Sequence, residues 1–145
     1  YGLGLTVWSP LASGLLSGKY TRQTLTDPNN RLSGFDILPI DKEEAFRLVE
    51  RMRAMASAHD ASVAQIAIAW LLARQAVTSV IVGSTKLSQL EDNLRADAVA
   101  LTAAEIAELD AATALSPVYP NLFTETIAQD RPVAEALANR PRSRA

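Results

Sequence analysis

Two stretches of this sequence carry residue types able to grip a phosphorylated ligand. The first is Trp8-Ser9-Pro10-Leu11-Ala12-Ser13-Gly14-Leu15-Leu16-Ser17-Gly18-Lys19-Tyr20. An aromatic residue at a strand end can stack on a flat ring. Small residues let backbone amides approach a pyrophosphate, and Lys19 can neutralise it. The second stretch is Val80-Ile81-Val82-Gly83-Ser84-Thr85-Lys86-Leu87-Ser88-Gln89-Leu90-Glu91-Asp92-Asn93. Here glycine, hydroxyl residues and a lysine run into a helix start, whose free amides suit a phosphate monoester. Gln89, Asp92 and Asn93 stand three and four apart, so they share a helical face whose amides and carboxylate can read an adenine edge. Purely structural explanations compete with both readings. Trp8 could be core, with glycines that only turn the chain. Capping explains Thr85 and Ser88 well, but it explains Lys86 poorly.

Other tempting matches fail. Gly14 to Lys19 reads G-L-L-S-G-K, with three residues between the glycines where a P-loop needs four, and Tyr20 follows the lysine in place of Ser or Thr. Gly2-Leu3-Gly4 is half a dinucleotide fingerprint, but it precedes a strand and reads as a helix stop. His59 falls at a predicted helix C-terminus, where a surface role outweighs catalysis. Asp41, Glu43 and Glu44 make an acidic first turn that the helix dipole explains without a carboxylate dyad.

These segments need a scaffold. Leu3 to Trp8 is short and apolar without alternation, which predicts a strand buried on both faces and closed by Ser9-Pro10. Thr78 to Val82 predicts a second such strand, ended by Gly83. Between them, Thr21 to Pro39 is a long loop with turn signals at Asp27-Pro28-Asn29-Asn30 and Ser33-Gly34. Asp41 with Glu44 resembles a capping box before a helix carrying Ala45, Leu48, Val49, Met52, Met55 and Ala56, ending near His59-Asp60. Ser62 with Gln65 opens a second helix, Thr85 or Ser88 (with Glu91) a third, and Thr102 with Glu105 a fourth. In the fourth, Leu101 can staple onto Ile106, and Leu109 continues the buried stripe. Beyond Thr113 the periodicity fades; Ala134 to Leu137 suggests a short helix and Arg140 to Arg144 a frayed tail.

Two buried strands separated by helices predict a parallel α/β fold. The division expected is residues 1–115 as the folded part and 116–145 as a partly irregular extension. Two strands are too few to bury each other on every side, so the pattern asks for more sheet than the sequence contains. The opening Tyr1-Gly2-Leu3-Gly4, without a methionine or charged leader, is accordingly expected to be a start inside a larger fold.

Composition narrows the classes. The chain has 145 residues, 48% hydrophobic and 21% charged, as in folded globular domains. A net charge of −2 gives no reason to expect nucleic acid or an anionic membrane as partner. Cysteine is absent and His59 is the single histidine, which excludes disulfides, thiolate metal sites and multi-histidine metal sites; no metal is expected. No apolar run reaches the roughly 20 residues of a membrane span. The absence of cysteine suits a cytoplasmic protein.

With these residues in view, the chain resembles the aldo-keto reductase family, especially its bacterial and potassium-channel-β-like branches. The pattern W/Y-S-P-L-A-x-G-L-L-x-G-K-Y follows the seventh barrel strand in that family, and V-I-x-G-x-x-x-x-x-Q-L-E-[ED]-N spans the eighth strand and the next helix. Ser62 to Leu72 (S-V-A-Q-I-A-I-A-W-L-L) is similar to the intervening family helix, and Leu101 to Ile106 (L-T-A-A-E-I) to the one after. The similarity covers residues 1 to about 115; four motifs in order at matching spacing make it specific.

The resemblance implies a partial (β/α)8 TIM barrel holding only the last two barrel strands and their helices, with a phosphate site in the loops after them. It also implies an NADP(H)-dependent oxidoreductase that passes hydride between nicotinamide and an aldehyde or ketone. By the same resemblance Trp8 stacks on the nicotinamide. Ser9, Leu11, Ser13 and Lys19 line the pyrophosphate, and Arg31 closes over the cofactor. Gly83, Ser84, Thr85, Lys86 and Gln89 surround the adenosine 2′-phosphate, while Asp92 and Asn93 hold the adenine. The family often has a basic residue where Thr85 stands; Lys86 is its substitute here. The family's catalytic aspartate, tyrosine, lysine and histidine lie on earlier strands and have no counterpart in this chain. The chain alone is therefore expected to be inactive, with the missing N-terminal barrel portion or self-association completing it and a small-molecule carbonyl as substrate of the complete enzyme. The alternatives are a non-catalytic truncated fragment and an NADP-binding regulatory module without turnover.

Overall fold

The computed structural model describes residues 2–27 and 40–115. Arg31, most of the predicted long loop, and the predicted short helix and tail lie outside the described residues. The chain divides into two units, Tyr1–Thr113 and Ala114–Ala145. Of the second only Ala114 and Leu115 are described, both exposed; everything below concerns the first.

Two short strands, β1 (Leu5–Val7) and β2 (Val77–Val80), pair in parallel. Leu5 pairs with Val77 and Thr6 with Ser79, so Thr78 is an extra residue bulged out of register. Gly4 explains how the bulge is accommodated. A Cβ on Gly4 would lie 1.8 Å from the Thr78 Oγ1, so glycine leaves the room that the bulged Thr78 side chain occupies. Between the strands come α1 (Lys42–Ala58) and α2 (Val63–Leu72); after β2 come α3 (Leu87–Leu94) and α4 (Ala103–Ala112). The predicted α/β order with a parallel strand pair is what the chain forms.

The helix starts follow their caps. At α2, the Ser62 hydroxyl accepts from the Gln65 amide while the Gln65 side chain reaches back to the Ser62 N–H. Thr102 and Glu105 do the same at α4. At α1 only half of the expected box forms among the described residues: Glu44 N–H donates to Asp41 Oδ1 at 3.0 Å. The helix ends at Ala58 with His59 as its C-cap, one residue before the expected stop. His59 is half-buried, and its Nε2 lies 2.8 Å from Glu105 Oε1, which ties the end of α1 to the start of α4.

The core lies between α1 and α2 and is closed by α4. Val49, Met52, Met55 and Ala56 of α1 meet Val63, Ile66 and Ala67 of α2, and Leu109 joins them from α4. Each large apolar side chain among them contributes roughly 1.5–3 kcal/mol by leaving water. A second cluster packs Leu15 and Tyr20, from the segment after β1, on Ala45 and Phe46 of α1. Beyond the core, Asp110 of α4 accepts hydrogen bonds from Trp70 Nε1 at 2.9 Å and from the Arg74 guanidinium, and the same guanidinium stacks over the Trp70 ring.

Burial of the strands departs from expectation. Both were expected to be buried on each face, yet Leu5 is 57% exposed and Ile81, just past β2, is 50% exposed. The reason is the one the strand count implied: among the described residues β1 packs chiefly on β2, and β2 packs otherwise chiefly on α2. Among the described residues no helix is long and apolar enough to cross a membrane.

Candidate functional site

Parallel pairing puts the C-terminal ends of both strands at one edge of the sheet, the edge where α/β folds bind ligands. The two segments leaving that edge wall a single cleft of about 570 Å³, within the usual range for small-molecule sites. From the β1 side it is lined by Trp8, Ser9, Leu11, Ser13 and Lys19, and from the β2 side by Gly83, Thr85, Gln89, Asp92 and Asn93. Ser84 and Lys86 sit in the same turn as Gly83 and Thr85 but do not line it, and Arg31 lies outside the described residues.

The wall after β1 is built from backbone that only glycine adopts freely. Ser9, Ala12 and Ser13 have φ of 56°, 47° and 58°, and Gly14 follows at 92°. Left-handed backbone at a non-glycine residue costs roughly 1–2 kcal/mol. The loop holds because Leu15 is fully buried beneath it, the Gly14 and Leu16 amides both donate to the Leu11 carbonyl, and Ser17 Oγ donates to Gly14 O at 2.7 Å. Trp8 is 63% exposed at the mouth of this wall and is not part of the core of the described residues. A bare indole in a cleft is a ready stacking surface. The Lys19 ammonium lies 4.7 Å from the Tyr20 ring centroid and against Gly14, where an added Cβ would be 3.1 Å from Nζ.

The wall after β2 is differently made. α3 begins at Leu87 with Lys86 as N-cap, and no side chain caps it. The expected box of Ser88 with Glu91 does not form, because Ser88 already lies inside the first turn, where its hydroxyl has no orphan amide ahead of it to accept from. Thr85 is not the cap either; its amide and hydroxyl both donate to Gln89 Oε1 at 3.3 Å. That leaves the Gln89 NH2 without a partner among the described residues. The Lys86 ammonium pairs with no carboxylate among them. A Cβ on Gly83 would meet nothing within 4 Å, so the turn opens onto free space.

Asn93 is 7% exposed, lines the cleft and donates to Ser84 Oγ at a long 3.4 Å. Asp92 has closer partners on α2: Ser62 Oγ donates to its Oδ2 and Gln65 Nε2 to its Oδ1, both at 2.7 Å. Pro10, Gly14, Ser17, Ala64, Ile81 and Val82 also line the cleft and were not singled out by sequence. Ser17, between two glycines in the first motif, was the legible one. Ala64 had no local signal, since only the packing of α2 brings it there.

Together the walls offer an aromatic face, hydroxyls, Lys19 and a buried amide, and the turn at Gly83 and Thr85 leads into a helix start without a side-chain cap, with Lys86 beside the cleft but outside its lining. That set suits a ligand with a flat ring at one end and phosphate along its length. The profile of the aldo/keto reductase family matches residues 1–114. Curated relatives include a probable voltage-gated potassium channel subunit beta of Oryza sativa subsp. japonica, 39% identical over 112 residues that make up 74% of this chain and 34% of the relative. An L-glyceraldehyde 3-phosphate reductase of Escherichia coli is 32% identical over 114 residues, 75% of this chain and 33% of that protein. An aldo-keto reductase of Strobilurus tenacellus is 30% identical over 107 residues, 73% of this chain and 32% of that protein. The chain thus spans about a third of the length of the relatives it matches. A family profile covering most of the chain, over a cleft at the C-terminal ends of two parallel strands, settles its kinship: this chain belongs to the aldo/keto reductase family.

Proposed function

We propose that the cleft is the NADP(H) site of a carbonyl-reducing (β/α)8 barrel, and that β1 and β2 are that barrel's last two strands. The observation that carries this reading is the convergence on one cleft of an exposed Trp8 and of Gly83 and Thr85, the turn that leads into a helix without a side-chain cap. Trp8 stacks the nicotinamide, the Ser9-to-Lys19 wall takes the pyrophosphate, and Gly83, Ser84, Thr85, Lys86 and Gln89 surround the 2′-phosphate, with Asn93 beside the adenine. The open space at Gly83 is consistent with a phosphate seated against backbone. When bound, the nicotinamide supplies hydride for an aldehyde or ketone.

Carbonyl reduction also needs a proton donor at the carbonyl oxygen. Among the described residues no cleft-lining side chain is a tyrosine, histidine or cysteine, and Asp92 is engaged by Ser62 and Gln65. The chain therefore grips the nucleotide, and the donor and a small carbonyl substrate belong to the complete barrel. Leu3, Leu5 and Ile81, all at least half exposed on or beside the strands, support a neighbouring barrel portion as the partner. Kinship to potassium channel beta subunits favours a second reading, a nucleotide-binding regulatory module without turnover.

Thermal unfolding of the 145-residue chain with and without NADPH tests the site. A cooperative transition should rise with NADPH, by about 2.7 kcal/mol of added stability at a hundredfold excess over Kd. A transition that NADPH leaves unmoved overturns the reading. Turnover of a generic aldehyde by the chain alone would overturn the claim that the donor lies elsewhere.

A further inference from the structure

We infer that Asp92 is a positioning residue: its carboxylate is committed to the cap of α2 and sets α3 so that Gln89 and Asn93 meet the nucleotide. The inference rests on the nucleotide reading of the cleft given above.

Start from the donors. In the α2 cap the Ser62 hydroxyl accepts from the Gln65 amide, so its own O–H is left to donate outward. Gln65 Oε1 accepts from the Ser62 N–H, so its NH2 must point away from that amide. The cap thus presents two donors side by side, and Gln65 is only 6% exposed. A carboxylate is the side-chain group that accepts both. Asp92 does so at 2.7 Å on each oxygen, within the range of strong charge-assisted bonds.

Nothing else on α3 matches this anchor. The helix has eight residues and no side-chain cap, far short of the roughly 12–15 residues at which an isolated helix is even marginal. Its leucines do not hold it down: Leu87 is 72% exposed, Leu90 38% and Leu94 62%. Asn93 is its one buried residue. The polar tie from Asp92 to the capped and buried α2 therefore fixes where Gln89, one turn earlier, and Asn93, the next residue, stand in the cleft.

An exchange of partners tests this. In Asp92→Asn, either an amide NH2 faces the Gln65 NH2, or the amide oxygen keeps Gln65 while the new NH2 donates to Ser62 Oγ and the Ser62 O–H loses its carboxylate acceptor. In Gln65→Glu, two carboxylates face each other. Combining the two substitutions restores the pattern with charge conserved. The carboxylate now at position 65 accepts from the Ser62 N–H and from the amide NH2 now at position 92, and the oxygen of that amide accepts from the Ser62 hydroxyl.

NADPH dissociation constants by fluorescence titration, together with ligand-free thermal unfolding, are measured for all four proteins. Each single substitution should weaken NADPH about tenfold or more, from the loss of one charged hydrogen bond and the clash of like groups. The double variant should return to within about threefold of wild type, by the logic of a double-mutant cycle. If Asp92→Asn binds normally, or if the double variant binds as poorly as Asp92→Asn, the inference fails; the second result assigns the carboxylate to the ligand directly. If a single variant does not fold, the double variant against wild type decides. Failure of the wild-type chain to bind NADPH is seen before any variant is compared; it overturns the nucleotide site itself and the positioning role with it.

Discussion

α2 and α3 both begin beside the cleft, and they begin differently. α2 closes its own start: Ser62 and Gln65 satisfy each other's amides, and the donors left over go to Asp92. α3 starts on Lys86 with no side chain accepting from its first amides. Both sequences offered hydroxyl residues at the right place, so residue supply does not explain the contrast. In the second case Thr85 is drawn off to Gln89, and Ser88 lies past the cap, within the first turn. A helix start that carries the fold is satisfied internally, as Thr102 and Glu105 repeat at α4. One that faces a cleft keeps its amides available, and the positive end of its dipole with them.

Four substitutions press on that contrast. The largest effect is expected for Lys86→Ala, which should weaken NADPH about ten- to a hundredfold through loss of a charged phosphate contact, while NADH binding changes little. Equal weakening of both nucleotides in parallel titrations removes Lys86 from the 2′-phosphate. Next, Ser62→Ala should cost about 2 kcal/mol in denaturant unfolding, since it removes a cap and a donor to a carboxylate together. A cost near that of an ordinary surface change would mean that α2 does not depend on its cap.

Thr102→Ala should cost about 1 kcal/mol at neutral pH and also alter the acid limb of stability. The Thr102 backbone N–H first, then its hydroxyl, and then His59 hold the Glu105 carboxyl below the usual carboxylate range. A depressed carboxylate contributes stability that is present above its unfolded pKa and is lost as pH falls through the folded one. Without the hydroxyl that loss should be shallower but not gone, because the backbone bond remains; unfolding followed from pH 7 downward reads it. Smallest is the stability change from Lys86→Asp. An N-cap carboxylate should stabilise the ligand-free chain by about 0.5–1 kcal/mol and abolish the NADPH-induced shift. A variant that loses stability instead would show that α3 is capped by other means.

Much of the scaffold was legible from local chemistry. The boxes at Ser62 and Thr102 announce helix starts within four residues, and the stripe from Val49 to Met55 names the face that is buried. The parallel pairing followed from two short apolar runs separated by helices. The exposed strand edges were legible from the strand count, while the apolar runs taken singly pointed to burial on both faces. An unbroken apolar run states what a strand is suited to, while its burial depends on neighbours. The loop after β1 was half legible. Its glycines signalled a turn, but the left-handed backbone falls equally on Ser9, Ala12 and Ser13, whose identities do not ask for it. The Asp92 tie was invisible, since spacing puts Asp92 on a helical face but cannot say that α2 lies against that face with two donors ready.

The left-handed serines have a consequence for how this chain could be improved in the laboratory. Ser9 and Ser13 both line the cleft while holding a conformation that glycine would adopt without strain. Selection for heat resistance alone would favour glycine at both positions, and selection for binding would keep the hydroxyls. These two codons are where the two screens should diverge, so a thermostable library enriched in glycine there would be a warning that its members are losing the nucleotide.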